Sequence, residues 1–382
     1  MLKDLVQSSE VSKVVAADVD IQKARRIVNE LGSDKTTSEH LDITDRDRTV
    51  RLMKAEFDVV ASALLAEGNV EAARSAVEAG VSMVDVGRTP PSVFELDRDA
   101  QQRGVTILPS CGLDPGLDRI LEGYAARKLD KVTEIRMYCG GFPQKNTLAY
   151  DNLLRYKVSW YWKRAIETSL GEATILRDGR TVHVDKLSGP GNPEITVFPE
   201  PVGECEAFYT GAPFDTIEHL GLKDVKNAWE KTVRWPGHCE IWRKLIDLGL
   251  TSTEPLEAKG CQVAPMDFLV ELGNKTLQYQ KGEGDVVVER VCVAGEKDGE
   301  ERQFVYELID FYDKQRDVTV MGRTTAYPCS ILCQMIGRGE IGERGVIHAS
   351  NIGWNAELAS KFFDELRKRN ILISETSVQS LT

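Results

Sequence analysis

The 382-residue chain reads as an α/β protein, a doubly wound parallel sheet followed by a second, mixed α+β domain. Two observations predict this. In the first third, short apolar strands alternate with helices at close intervals; from about Asp114 onward the strands come in groups instead.

Lys13 to Asp18 (KVVAAD) is a buried-strand run, after which Ile21, Ala24, Ile27, Val28 and Leu31 recur at helical spacing. A short extended stretch reaches Leu41, a helix follows from about Asp45, and FDVVAS is the next apolar strand. GNVEAARSAVEAG is a helix closed by Gly80, and VSMVDVG is a strand. PPSVFELDRDAQQRG starts on prolines and ends on glycine, the asymmetry that helices favour, and VTILPS completes the series. Units of this spacing predict a Rossmann-type domain over residues 1–113.

Beyond it, KVTEIRMYCGGF is a strand ending in a glycine pair. Two hairpins are expected around Asp178-Gly179 and Asp298-Gly299, dipeptides that accept positive φ. HCEIWRKLIDLG and PMDFLVELGNKTLQY read as amphipathic helices between them. This second domain spans 114–330, and the helices of 331–382 are expected to pack back on the first.

A net charge of −12 and a pI near 5.1 argue against nucleic acid, because phosphate neutralisation needs a basic face. The longest apolar run, VVASALLA, is too short to span a bilayer, and the N-terminus lacks the apolar core of a secretion signal. The expectation is a cytoplasmic protein without a membrane partner. Eight scattered cysteines with five histidines offer no paired ligand motif, so no metal is expected; free, mostly buried thiols are.

A dinucleotide fold opens with a strand, a glycine-rich turn and a helix, and the acid that contacts the ribose follows roughly 20 residues later. Asp18, followed by Asp20, is that acid here, yet the first of the 31 glycines is Gly32. The first strand and its phosphate loop are therefore expected to be missing, with Met1, Leu2, Leu5 and Val6 forming the back half of the first helix. Either the chain begins at an internal methionine or it is a degenerate relative; in both cases weak cofactor binding is expected. Carboxylates at Asp18 and Asp20 favour NAD over NADP, while Arg25 and Arg26 keep NADP open.

The motifs SCGLDPGLDRIL, MYCGGFP, RYKVSW, TVRWPGHCE and GRTTAYP, in this order, resemble the saccharopine dehydrogenase family, most of all its short lysine 6-dehydrogenase-type members. The resemblance covers the chain except its front. It implies a Rossmann domain, a catalytic domain that also forms homodimers, and oxidation of an amine with hydride passing to a nicotinamide. Asp85, Val86 and Gly87 end a strand, where α/β sheets bind ligands, and the glycines around Asp114 fit a tight turn aimed into a cleft. The cofactor-binding set is Asp18, Asp42, Ile43, Ala63, Asp85, Val86 and Gly112.

Amine oxidation needs a deprotonated nitrogen and later an activated water. Asp114 and Cys139, in the family's GLDPG and YCGG motifs, are the candidates; a helix-capping turn residue and a buried thiol are their plain alternatives. A lysine-type substrate also brings an α-carboxylate, for which Lys157, Arg234 and Arg323 are the available cations; Lys157 and Arg234 are favoured, with His238 and Thr324 as polar supports. Surface cations and a helix-start histidine are the ordinary readings of those residues. Trp160, Tyr161 and Trp162 are expected in core or dimer interface ahead of a substrate wall. The leading expectation is lysine 6-dehydrogenase-like deamination of a small amino acid. A saccharopine-type reductase acting on a secondary amine is the runner-up, and a cofactor-deficient, non-catalytic paralogue is the third reading.

Overall fold

A computed structural model describes residues 1–379 of the chain. It divides into two compact units, the first of residues 1–124 with 323–370, the second of residues 125–322 with the chain from 371 to 379.

The first unit opens with α1 (Leu2–Gln7), β1 (Val14–Asp18), α2 (Ile21–Leu31), β2 (Thr36–His40), α3 (Arg46–Glu56) and β3 (Val59–Ser62). It continues through α4 (Ala66–Ala79), β4 (Ser82–Asp85), a 3-10 turn (Pro91–Leu96), α5 (Asp97–Arg103), β5 (Thr106–Leu108) and α6 (Leu117–Ala126). Helix starts follow the local chemistry. The Asp20 carboxylate accepts from the Gln22 and Lys23 amides to cap α2, and Asp45 accepts from Arg48 to cap α3.

All strand pairs here are parallel, in two sheets: β1 with β2, and β16 (Gly345–Val346)-β5-β4-β3. The parallel layer is thus interrupted between β1 and β3. Small residues on α4 (Ala72, Ala73 and Ala76) let that helix lie close on Met83 and Ile107 of the sheet, and all are fully buried.

The second unit begins with β6 (Lys131–Pro143), α7 (Trp162–Glu167), β7 (Glu172–Arg177), β8 (Arg180–Asp185), β9 (Glu194–Phe198) and β10 (Gly203–Gly211). Then come α8 (Phe214–His219), β11 (Asn227–Arg234), α9 (His238–Asp247), β12 (Leu256–Ala258), β13 (Cys261–Val263), α10 (Pro265–Thr276), β14 (Asp285–Lys297) and β15 (Glu300–Phe311). The chain closes with α11 (Val320–Gly337), β16 (Gly345–Val346), α12 (Ala349–Trp354), α13 (Ala356–Lys368) and β17 (Ile373–Gln379). Both expected hairpins form, β7–β8 and β14–β15, with positive φ at Asp178, Gly179, Asp298 and Gly299.

Nine strands make one sheet, β17-β15-β14-β6-β11-β10-β9, with β7 on β11 and β8 on β7. Only β6 and β11 run parallel among its ladders. This sheet is strongly curled. Arg290 on β14 donates to Val197 O (2.8 Å) and Thr196 Oγ1 (3.2 Å) of β9, although β6, β11 and β10 lie between. On a flat sheet that path would be about 19 Å, at about 4.8 Å per strand. Curling encloses Phe142, Phe198, Val233, Trp235 and Val288 as one core. A second cluster, with Tyr156, Trp162, Phe208, Trp242 and Met266, packs α7, α9 and α10 on the sheet.

Candidate active site

In the first unit the candidate residues gather at the carboxyl ends of the parallel strands. Asp85, the last residue of β4, is fully buried. Its Oδ1 accepts from the Gly87 amide (3.0 Å), the Ser110 amide (3.0 Å), Thr89 Oγ1 (2.8 Å) and Asn69 Nδ2 (3.4 Å). Its Oδ2 is buried without a hydrogen-bond partner. Burial pushes this carboxyl up to about 6, against the bonds from Ser110, Thr89 and Gly87 that favour the charged form. Asn69 is itself held by Ser62, whose Oγ donates to Asn69 Oδ1 at 2.6 Å. One carboxylate oxygen therefore ties together the ends of β3, β4 and β5.

The turn after β5 explains its glycines. A Cβ on Gly112 would meet Val86 O at 2.9 Å, and Gly116, at φ 142°, would bring a Cβ to 2.3 Å from Gly112 N. The turn closes through Gly112 N to Pro115 O (3.0 Å) and Leu117 N to Gly112 O (2.9 Å). Asp114 lies at its tip, with Oδ1 3.3 Å from Nη2 of the exposed Arg88. The start of α6 is served by Asp118, which accepts from Gly116 N and Arg119 N, so helix capping does not occupy Asp114.

Asp18, at the end of β1, turns its Oδ1 to the Asp20 amide (2.8 Å) and has Lys23 Nζ at 3.9 Å. Asp42 accepts from both the amide and hydroxyl of Thr44, which holds its carboxyl below the ordinary range. Ile43 packs against the core of the unit, while Ala63 is exposed just past β3 and Val86 half-buried just past β4. Strand ends of this kind are where α/β sheets hold dinucleotides: the carboxylate at β1 could accept from a ribose hydroxyl, and the glycine-bearing turns lie beyond β4 and β5.

In the second unit, Cys139, Arg234 and His238 lie on one face of the curled sheet and the helix over it, with Tyr156, the chain neighbour of Lys157, against Arg234. Leu308, Glu289, Cys139, Thr232 and Phe208 are successive cross-strand partners, so their side chains form one row. Arg234 is two residues beyond Thr232 on the same strand face. Its guanidinium lies over the Tyr156 ring, 5.1 Å from the centroid, and its Nη1 donates to Val233 O at 2.7 Å. Among the described residues it has no carboxylate partner. Tyr156 is buried with its hydroxyl unpartnered and stacks on Trp162.

His238 stacks on Phe208 at 5.5 Å; burial and the Arg234 charge hold its imidazole well below its usual pKa, hence neutral. Glu206 caps α9, accepting from the Gly237 and Cys239 amides. Lys157 is engaged, its Nζ 2.6 Å from Glu283 Oε2 and 3.1 Å from Gln278 O. Arg323 donates from Nη1 to the Arg369 and Asn370 carbonyls at the end of α13, and Thr324 beside it is fully buried. In the aromatic run, Trp162 is core, while Trp160 and Tyr161 are 40% and 46% exposed. None of the eight cysteines forms a disulfide; seven are buried and Cys261 is exposed.

Sequence reasoning missed Asn69, Ser62, Thr89, Ser110, Tyr156 and Glu289. An asparagine inside the apolar helix GNVEAARSAV and a glutamate inside the strand DVVVERVCV were the available signals.

Residues 112–372 match the saccharopine dehydrogenase C-terminal domain, and residues 1–108 match the saccharopine dehydrogenase NADP binding domain. The chain is 23% identical to a saccharopine dehydrogenase [NADP(+), L-glutamate-forming] of Saccharomyces cerevisiae, covering 94% of this chain and 87% of that one. It is 21% identical to the protein of that name from Schizosaccharomyces pombe, over 95% and 93%. An alpha-aminoadipic semialdehyde synthase of Arabidopsis thaliana is 28% identical over 63% of this chain, which is 23% of that longer protein. The structure of apo saccharopine dehydrogenase (L-Glu forming) from Saccharomyces cerevisiae superposes with a TM-score of 0.81 at 19% identity, covering 99% of this chain and 96% of that one.

A match to an NADP binding domain followed by one to the C-terminal domain of a dehydrogenase makes this an NAD(P)-dependent oxidoreductase. The chain belongs to the saccharopine dehydrogenase family. No helix among the described residues is long and apolar enough to cross a membrane.

Proposed function

We propose that this protein oxidises the carbon–nitrogen bond at the far end of a lysine-type amino acid, with a nicotinamide dinucleotide as its partner. The observation that carries this reading is Arg234. A guanidinium only 5% exposed, stacked on an aromatic ring and lacking a carboxylate, is a standing demand for an anion. A substrate α-carboxylate meets it.

The residues divide the work as follows. Arg234 takes the α-carboxylate, and Tyr156 beneath it fixes the plane of the guanidinium. Lys157, already neutralised by Glu283, shapes the site and leaves the anion to Arg234. Within the second unit Cys139 orients the nitrogen; Asp114, in the first unit, remains a candidate for the proton that the amine must lose. The dinucleotide, when bound, supplies the hydride acceptor. Asp18 and Asp20 at the end of β1 favour NAD, because a carboxylate accepts from a ribose 2′-hydroxyl and repels a 2′-phosphate. The domain description and the relatives' names carry NADP, so both dinucleotides belong in the assay.

A second reading has its own support: the named yeast relatives, aligned over nearly the whole chain, are saccharopine dehydrogenases. Saccharopine adds a dicarboxylate on the same nitrogen. Reduced cofactor formation with L-lysine and with saccharopine, each with NAD and NADP, tests both. Turnover of lysine is expected. Turnover of saccharopine alone reverses the order, and turnover of neither refutes the assignment.

A further inference from the structure

Three buried hydroxyls of the second unit, those of Tyr156, Ser159 and Tyr279, have no hydrogen-bond partner. Each has lost its hydration with nothing in exchange, which costs stability in the free protein. They are gathered in one place. The guanidinium of Arg234 lies over the Tyr156 ring, 5.1 Å from its centroid. Ser159 and Trp160 face the Tyr156 hydroxyl, and neither closes a hydrogen bond with it. Val158 N donates to Leu277 O at 2.8 Å, and Val158 and Gln278 are parallel bridge partners, which sets Ser159 next to Tyr279. Lys157 holds the two segments together, donating to Gln278 O (3.1 Å) and Glu283 Oε2 (2.6 Å), and the same carboxylate oxygen accepts from Gln280 N (2.7 Å). Burial pushes both phenols up, Tyr279 further through the charge of Asp285, while the Arg234 charge pulls both the other way. Both therefore stay protonated and able to donate, within electrostatic reach of one guanidinium.

We infer that the hydroxyls of Tyr156, Ser159 and Tyr279 join Arg234 in a single seat for a carboxylate, and that the two tyrosines set its selectivity for a carboxylate over a carboxamide. The inference rests on the proposed function for the ligand, an amino acid's α-carboxylate, and adds the groups that recognise it. An ionised carboxylate only accepts, at about four lone-pair positions. One guanidinium and three hydroxyls, all able to donate, match it in kind and in number. Its single negative charge is also what one cation balances; a phosphate dianion would leave a charge over in a buried place. A carboxamide brings no charge and turns an NH2 group toward the guanidinium.

Calorimetric titration of the full chain with L-lysine, L-lysinamide and saccharopine, without dinucleotide, tests this free of turnover. L-Lysine should bind about tenfold or more tighter than its amide. Tyr156→Phe and Tyr279→Phe keep the rings; each should weaken L-lysine about tenfold, as loss of a hydrogen bond to a charged group does, and leave the amide nearly unchanged. Thermal midpoints of the two variants without ligand should equal or exceed that of the wild type, because each change removes an unbonded hydroxyl. A hydroxyl that serves the fold would lower the midpoint and spare the ligand, and that result overturns the proposal. So does wild-type affinity for L-lysine in both variants beside its loss in Arg234→Ala, which leaves the carboxylate to the arginine alone. Saccharopine bound in place of L-lysine, with the same loss in both variants, upholds the seat and removes the lysine reading. A wild type that binds neither overturns the seat.

Discussion

Replacing Asp85 by asparagine should flatten the pH dependence of stability in the first unit between about pH 4 and pH 6. An unfolded aspartate titrates near 3.9, while burial raises the folded Asp85 to about 6. Below about pH 4 both states hold the proton and the group costs nothing. As pH rises, the unfolded chain loses its proton first, and the folded state must then ionise a buried carboxyl. Stability conferred by the neutral form is lost by about pH 6, and two units at 1.36 kcal/mol each make the loss about 3 kcal/mol. All four donors at this site converge on Oδ1, so an asparagine carbonyl oxygen placed there keeps them. What it lacks is the titration. Hydrogen exchange of peptides covering β4 and β5, corrected for intrinsic rates at each pH, reads local stability in this unit without the second one intervening. The quantity to compare is the pH slope, since an amide in place of the unpartnered Oδ2 changes absolute stability by its own amount. A variant showing the same fall as the wild type would refute the reasoning.

Further outcomes follow from the same geometry. Asp4 of α1 is buried and bonded to Arg369 Nε (2.7 Å) and Ser330 Oγ (2.6 Å), so Asp4→Ala should cost about 1.5–3 kcal/mol in denaturant unfolding, Arg369 keeping its ion pair with Glu365. Asp18→Ser should move cofactor preference toward NADP by about tenfold in Kd ratio, measured by fluorescence titration; an unchanged ratio would remove Asp18 from the ribose site. Arg234→Ala should weaken binding of an amino acid by about 2–3 kcal/mol while leaving the corresponding amine without a carboxylate unaffected. Equal losses for the two ligands would mean that Arg234 serves the fold.

Much of the fold was legible because local chemistry and tertiary placement agree. Apolar strands bounded by Asp, Gly and Pro gave β1, β3, β4 and β5, and the Asp-Gly turns located both hairpins. The elements that escaped are those whose cause is distant. Two residues, Gly345 and Val346, form β16 only because Thr106 and Ile107 offer an open parallel edge far back in the chain. The strand ISETSVQ is an exposed edge without apolar alternation, and it exists through its ladder with β15. Curling of the nine-stranded sheet likewise left no local mark, although Arg290 bridges its two sides.

Cations show why the site was harder to read than the fold. Lys157, Arg234 and Arg323 look equivalent as letters, each in a short motif with aromatic or small neighbours. In space their demands are filled differently. Arg323 finds helix-end carbonyls, which suit a guanidinium electrostatically, and the proposed site leaves it out. Lys157 has a carboxylate at ion-pair distance. Arg234 has only a carbonyl and a ring face, in a place where water is scarce. An isolated buried charge is costly, which is why the proposed site gives Arg234 the substrate anion. Asp85 invites the same question with the opposite sign, and the four donors that converge on one of its oxygens answer it.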